Sequence, residues 1–144
     1  RLLHHYHSMP PVAVMQLSIG GYDGQRLQLH APLSVHVNDK GCAFGGSLAS
    51  MMTLASWGLV TLQVEAAGLH ADVYVADSQL RYLRPLVADL AAEAWLAEDT
   101  DWDAFLRSYR ERGRARAQLV ARVLGPDGTV VAEFTGRFAA LRAG

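Results

Sequence analysis

The sequence predicts an α+β protein in which about six antiparallel strands wrap one long central helix. Three observations predict it. Residues 46–67 are apolar on almost every side. Residues 26–31 alternate polar and apolar with a period of two. Two long strand-like runs, 114–124 and 129–141, flank "GPDG", a strong turn signal.

Each element follows in order. Residues 12–19, "VAVMQLSI", put Ala13, Met15, Leu17 and Ile19 on one face, and "GGYDG" reads as the turn that follows. Residues 26–31, "RLQLHA", then set Arg26, Gln28 and His30 against Leu27, Leu29 and Ala31, which completes a hairpin. The long helix comes next, from about Gly46 to Ala67. Its roughly 22 residues would reach about 33 Å at 1.5 Å per residue, enough for a membrane span. Seven polar residues interrupt it, from Ser47 to Glu65, and strands flank it, so burial inside a sheet is the reading adopted. Residues 73–83 form a strand stopped by Pro85, and 88–97 form another. Trp102, Phe105, Leu106 and Tyr109 fall at i, i+3, i+4 and i+7, which marks a short amphipathic helix. It covers the binding pocket or caps the sheet; the pattern allows both.

Composition bounds the function. The 144 residues suit one domain over 1–144, with residues 1–11 as a mobile or extended lead-in. Hydrophobic residues make up 51% and charged residues 19%, which suits a packed chain. The net charge of -1 argues against a nucleic-acid partner, and no membrane partner is expected. The single cysteine, Cys42, excludes an internal disulfide and fits a reducing cytoplasm. The chain opens on Arg1 and not Met, which leaves room for residues upstream. No spacing of His, Cys or Asp suggests a metal site; His4, His5 and His7 sit in the lead-in segment.

The chemistry concentrates in "HVNDKGCAFGGSLASMMTLASWG", residues 36–58. Gly45 and Gly46 stand where the chain enters the long helix, so a ligand can approach the backbone with no Cβ in the way. The first amides of a helix lack internal partners, and the helix dipole adds positive character there. That suits a polarised carbonyl and, better, an oxyanion. The plainer alternative is a glycine-rich helix start with Asn38 and Asp39 as turn and capping residues. Cys42 reads as small-residue filler. Ser47 lacks the G-x-S-x-G context of a nucleophile elbow.

The segments "NDKGCAFGGSLASMMTLASWGLVT", "ADVYVADSQLRYLRP" and "GRARAQLVARV" resemble the hotdog-fold acyl-thioester hydrolases. The nearest resemblance is to the thioesterase domain found C-terminal to an acetyltransferase domain in some bacterial proteins, over roughly residues 12–142. The family's turn pattern, His-x-Asn-x-x-Gly-x-x-His-Gly-Gly, is matched by His36, Asn38, Gly41, Gly45 and Gly46. Phe44 replaces its second histidine, and Thr53 stands where many relatives carry a helical acid.

The resemblance implies hydrolysis of a thioester of coenzyme A or acyl carrier protein by an activated water, in a homodimer or homotetramer. Coenzyme A is then part of the substrate, and no other cofactor is expected. Gly46 would supply the oxyanion site, with Gly45 and Phe44 bordering the substrate. Asn38 would contact the acyl carbonyl or a water, and Thr53 would position a water. Asp77 shares strand parity with Val73 and Val75; its carboxyl pKa is expected to rise by desolvation, and across a dimer it would act as base. Its alternative is a structural pair with Arg81 or Arg84. Those arginines are also the expected contacts for coenzyme A phosphates. Two rival functions stand beside hydrolysis: a non-catalytic acyl-CoA binding or dimerisation module coupled to an acetyltransferase domain, and a dehydratase using His36.

Overall fold

The computed structural model describes residues 1–143. It opens with two short helices, α1 (Leu2–Ser8) and α2 (Pro10–Ala13). The extended or mobile segment expected over residues 1–11 is therefore corrected. Leu2 and Tyr6 are buried, and the Tyr6 hydroxyl donates to the Leu54 carbonyl at 2.6 Å. The strand expected from residue 12 is corrected as well. Pro10 and Pro11 cannot donate to a sheet but suit a first helical turn. Met15 and Leu17 are still buried, from the connection between α2 and the first strand.

Strand β1 (Ser18–Tyr22) runs through the two glycines expected in the turn. The turn itself moves to Asp23–Gln25, where the Asp23 carboxylate accepts the Gln25 and Arg26 amides at 2.9 and 2.7 Å. Strand β2 (Arg26–Ala31) buries every second residue, as its alternation predicts. A single 3₁₀ turn at Leu33–Val35 leads into the loop before α3 (Gly45–Ala66). That helix stops because Gly68 adopts φ +74, letting Leu69 N–H reach back to the Val64 carbonyl at 3.1 Å. Strands β3 (Asp72–Tyr82) and β4 (Leu90–Leu96), helix α4 (Trp102–Arg112), and strands β5 (Arg114–Leu124) and β6 (Val130–Leu141) complete the chain. Helix α4 is capped by Asp101, which accepts from Ala104 N–H at 2.7 Å, and closed by Gly113 at φ +72.

The strands form one six-stranded antiparallel sheet in the order β1-β2-β4-β5-β6-β3. Helix α3 packs against β2, β3, β4, β5 and β6. By length and composition it could cross a membrane, yet Met51, Met52, Leu59 and Val60 are fully buried in the core beneath the sheet. Each such side chain contributes about 1.5–3 kcal/mol of burial. Gly58 lets α1 dock: a Cβ there would land on the Tyr6 hydroxyl and 2.9 Å from Leu27 Cδ2.

Two features of the sheet position the site. Among the described residues, strand β3 pairs only with β6, so its other edge is open. Its ladder also shifts register between Val75 and Asp77, a bulge at Ala76. Val73 and Val75 pair with the buried Ala140 and Phe138, whereas Asp77 pairs with the exposed Arg137. The bulge thus turns Asp77 onto the face away from α3.

Candidate active site at the first turn of the long helix

The loop before α3 is tied in several places. His36 N–H donates to Leu33 O at 2.8 Å, and Phe44 N–H donates to His36 O at 2.8 Å. Val37 and Ala43 form an antiparallel bridge. Inside it, Asn38 Oδ1 accepts the Lys40 and Cys42 amides at 2.8 and 3.1 Å, and Nδ2 donates to Cys42 Sγ at 3.3 Å. Gly41, at φ +83, completes the turn. The Asn38 amide is therefore committed to holding the loop, which is the plainer of its two expected roles.

The loop delivers the chain to α3 in extended backbone at Phe44, the N-cap residue. No side chain caps the helix, and its first turn holds no acid. Ser47 and Leu48 amides both bond to Phe44 O, at 2.9 and 3.1 Å. The Gly45 and Gly46 amides have no acceptor among the described residues. Two donors at the positive end of a 22-residue helix thus face outward. The Phe44 ring lies across Gly46, where a Cβ would meet it at 2.5 Å. The Tyr82 ring stands 3.7 Å from the place a Gly45 Cβ would take. Phe44 and Tyr82 are 56% and 57% exposed, so aromatic surface flanks both amides and remains open.

The other expected residues are dispersed. Thr53 lies two turns along α3, about 10 Å from Gly46 at 1.5 Å per residue. Its hydroxyl donates to the Ala49 carbonyl at 2.9 Å. Asp77 is exposed and forms a bidentate ion pair with Arg137. The Arg137 guanidinium holds its carboxyl below the usual range, opposite to the expected direction. The partner is Arg137 and neither Arg81 nor Arg84. Ser78 is the polar residue that β3 turns toward the α3 side, opposite Gly136. Arg81, in register with Glu133, lines a groove with Trp95 and Arg122 on the outer sheet face. Arg84, past the end of β3, donates its backbone N–H to Val131 O at 3.3 Å.

Sequence reasoning weighs His36 only as a motif residue and for a dehydratase, sets Ser47 aside for want of an elbow and assigns Tyr82 no role, yet the fold brings all three to the turn. His36 is buried with Nδ1 2.7 Å from Ser47 Oγ. Their separation of eleven positions matches no local motif. The amphipathic helix caps the other end: Tyr109 OH bonds to His70 O, beyond the C-terminus of α3. A concavity of about 600 Å³ also lies there, between Leu2, Trp57, Val64 and Val73. The candidate site is placed at the first turn because the unpaired amides there belong to the long buried helix.

The family model described as "Putative thioesterase (yiiD_Cterm)" matches residues 2–142. The chain belongs to that family. This thioesterase family assignment agrees with solved structures. A Chlorobaculum tepidum protein "with unknown function" is 28% identical, with a TM-score of 0.91 over 99% of this chain and 93% of that one. A "putative thioesterase" from Shewanella oneidensis is 29% identical, with a TM-score of 0.87 over 98% and 95%. A Pseudomonas aeruginosa protein described as a "probable thioesterase" shares the fold at 20% identity, with a TM-score of 0.79 over 99% and 97%. The architecture is the hotdog fold of the thioesterase superfamily, a curved sheet around one long helix.

Proposed function

We infer that the protein hydrolyses an acyl thioester, carried by coenzyme A or acyl carrier protein, at the first turn of α3. One observation carries this reading: among the described residues, the Gly45 and Gly46 amides are unpaired at the uncapped start of a buried 22-residue helix. A thioester carbonyl seated against them is polarised, and the tetrahedral oxyanion gains more than the ground state does. Phe44 and Tyr82 offer apolar walls for the acyl chain or the thiol arm. Arg84, two residues beyond Tyr82, is better placed than Arg81 to meet a carrier phosphate. Coenzyme A enters as substrate, and the reaction draws on no other cofactor. The site is closed by a second copy of the chain, paired through the open edge of β3 in a homodimer or in a homotetramer of two such pairs.

The test is thiol release from acyl-CoA thioesters of two to sixteen carbons, with acyl-carrier-protein thioesters as a second series. Turnover above the spontaneous rate on either series is expected. Binding without turnover across both would establish the non-catalytic module instead.

A further inference from the structure

Beneath the first turn of α3 the two ring nitrogens of His36 have different partners. Nε2 lies 2.8 Å from the Met15 carbonyl oxygen and Nδ1 2.7 Å from Ser47 Oγ. A carbonyl only accepts, so in the neutral imidazole Nε2 carries the hydrogen and Nδ1 presents its lone pair. The Ser47 hydroxyl is then the donor. His36 is 5% exposed, so the ring is screened from bulk water, whereas Ser47 is only half-buried. Ser47 is the third residue of α3, and helical side chains tilt toward the N-terminus, here toward the Gly45 and Gly46 amides. A hydroxyl, its hydrogen-bonded imidazole and the carbonyl that orients the ring thereby meet at the helix turn that carries the unpaired amides. Thr53 and Asp77 provide no competing base, since neither presents a free carboxylate to this turn.

We propose that Ser47 is the nucleophile of the thioester reaction and His36 its base, with the Met15 carbonyl fixing the imidazole. The proposal rests on the thioesterase reading and replaces direct attack by water with an acyl-enzyme. Ser47 Oγ bonds to the thioester carbon as its proton passes to His36 Nδ1, and the carbonyl electron pair moves onto the oxygen facing the amides. Collapse breaks the C–S bond, and the departing sulfur takes the proton from Nδ1. A free thiol and an ester on Ser47 result. Water then gives a proton to Nδ1 and bonds to the acyl carbon. Ser47 Oγ leaves and recovers the proton, and a carboxylic acid is released.

Two measurements on the full chain test it. The first is labelling with a fluorophosphonate, which forms an Oγ–P bond and expels fluoride; it needs no knowledge of the natural acyl group. The wild type should gain one adduct, mapped by mass spectrometry to the peptide holding Ser47, and Ser47→Ala should gain none there. The second is thiol release with palmitoyl-CoA and octanoyl-CoA, quenched early to trap the acyl ester. Ser47→Ala should lose about 10²- to 10⁴-fold in turnover per folded molecule. Wild-type turnover with no adduct on Ser47, and an active Ser47→Ala, would overturn this proposal and leave the thioesterase reading intact. An adduct with no turnover on any thioester would overturn the thioesterase reading and keep an activated serine. Absence of both overturns both. A merely structural Ser47 would lower the melting temperature of Ser47→Ala while its folded fraction kept the wild-type rate.

Discussion

At the scale of single residues, Gly46 and Asp77 divide the expected site into what the fold keeps and what it moves. A Cβ at Gly46 would strike the Phe44 ring, which is exposed and free to swing. Gly46→Val should therefore fold nearly normally while its displaced ring and methyl groups obstruct the amides. Thiol release is expected to fall about 10²-fold, the scale of losing one oxyanion donor; wild-type turnover in a folded variant would exclude this turn as the site. Asp77→Asn should leave turnover per folded molecule unchanged, because Asp77 sits on the opposite sheet face. Its effect belongs to stability and to pH. The Asp77 carboxyl is held low by Arg137, so its contribution is fully present above the unfolded carboxylate pKa of about 3.9. It is lost as pH falls through the lower folded value. Melting temperatures of wild type and Asp77→Asn should differ by a constant amount from pH 7 to pH 5 and converge below pH 4. A gap that persists at pH 2 would remove the ion pair as its cause.

At the scale of elements, the junction of α1 with α3 is a packed joint. The Tyr6 phenol is fully buried over Gly58, bonded to Leu54 O, and burial pushes its pKa up. Tyr6→Phe should cost about 1 kcal/mol, one buried hydrogen bond. Gly58→Ala should cost about 1–3 kcal/mol by overpacking. Chemical denaturation of the double variant should show less than the sum, because removing the hydroxyl clears the space the new methyl needs. Strict additivity would mean that the two residues do not share that space. Sequence pattern reached β2, α4, β5 and β6 because one dominant face governs each, α3 because it is apolar on almost every side, and β3 and β4 as runs parted by Pro85. It missed α1, whose buried pair Leu2 and Tyr6 is too short a signal, and it missed the bulge at Ala76. No glycine or proline marks that bulge, and one inserted residue was enough to reverse the face assigned to Asp77. The Gly45–Gly46 turn was legible because glycines before an apolar helix have a local meaning. The His36–Ser47 contact was not, because it depends on a loop folding back on itself.

At the scale of the whole molecule, the exposed Tyr74, Val75 and Tyr82 along the open β3 strand predict self-association. Light scattering at micromolar concentration should give a dimer or tetramer, and Tyr74→Lys should shift it toward monomer. A wild-type monomer there would remove the partner from the site. The same strand order has a consequence for synthesis. Strand β3 can join the sheet only through β6, so both β3 and the open side of α3 must wait for residues near Leu141. At about 5–20 residues per second, the interval after Ala66 emerges is roughly 4–15 s. During it the ribosome holds out a long apolar helix that could be taken for a membrane segment, beside an unpaired strand. Nascent chains arrested at Leu124 should be cleaved within α3 by added protease, and chains arrested with Leu141 outside the exit tunnel should resist. Equal resistance at both lengths would mean that a partial sheet already shelters the helix.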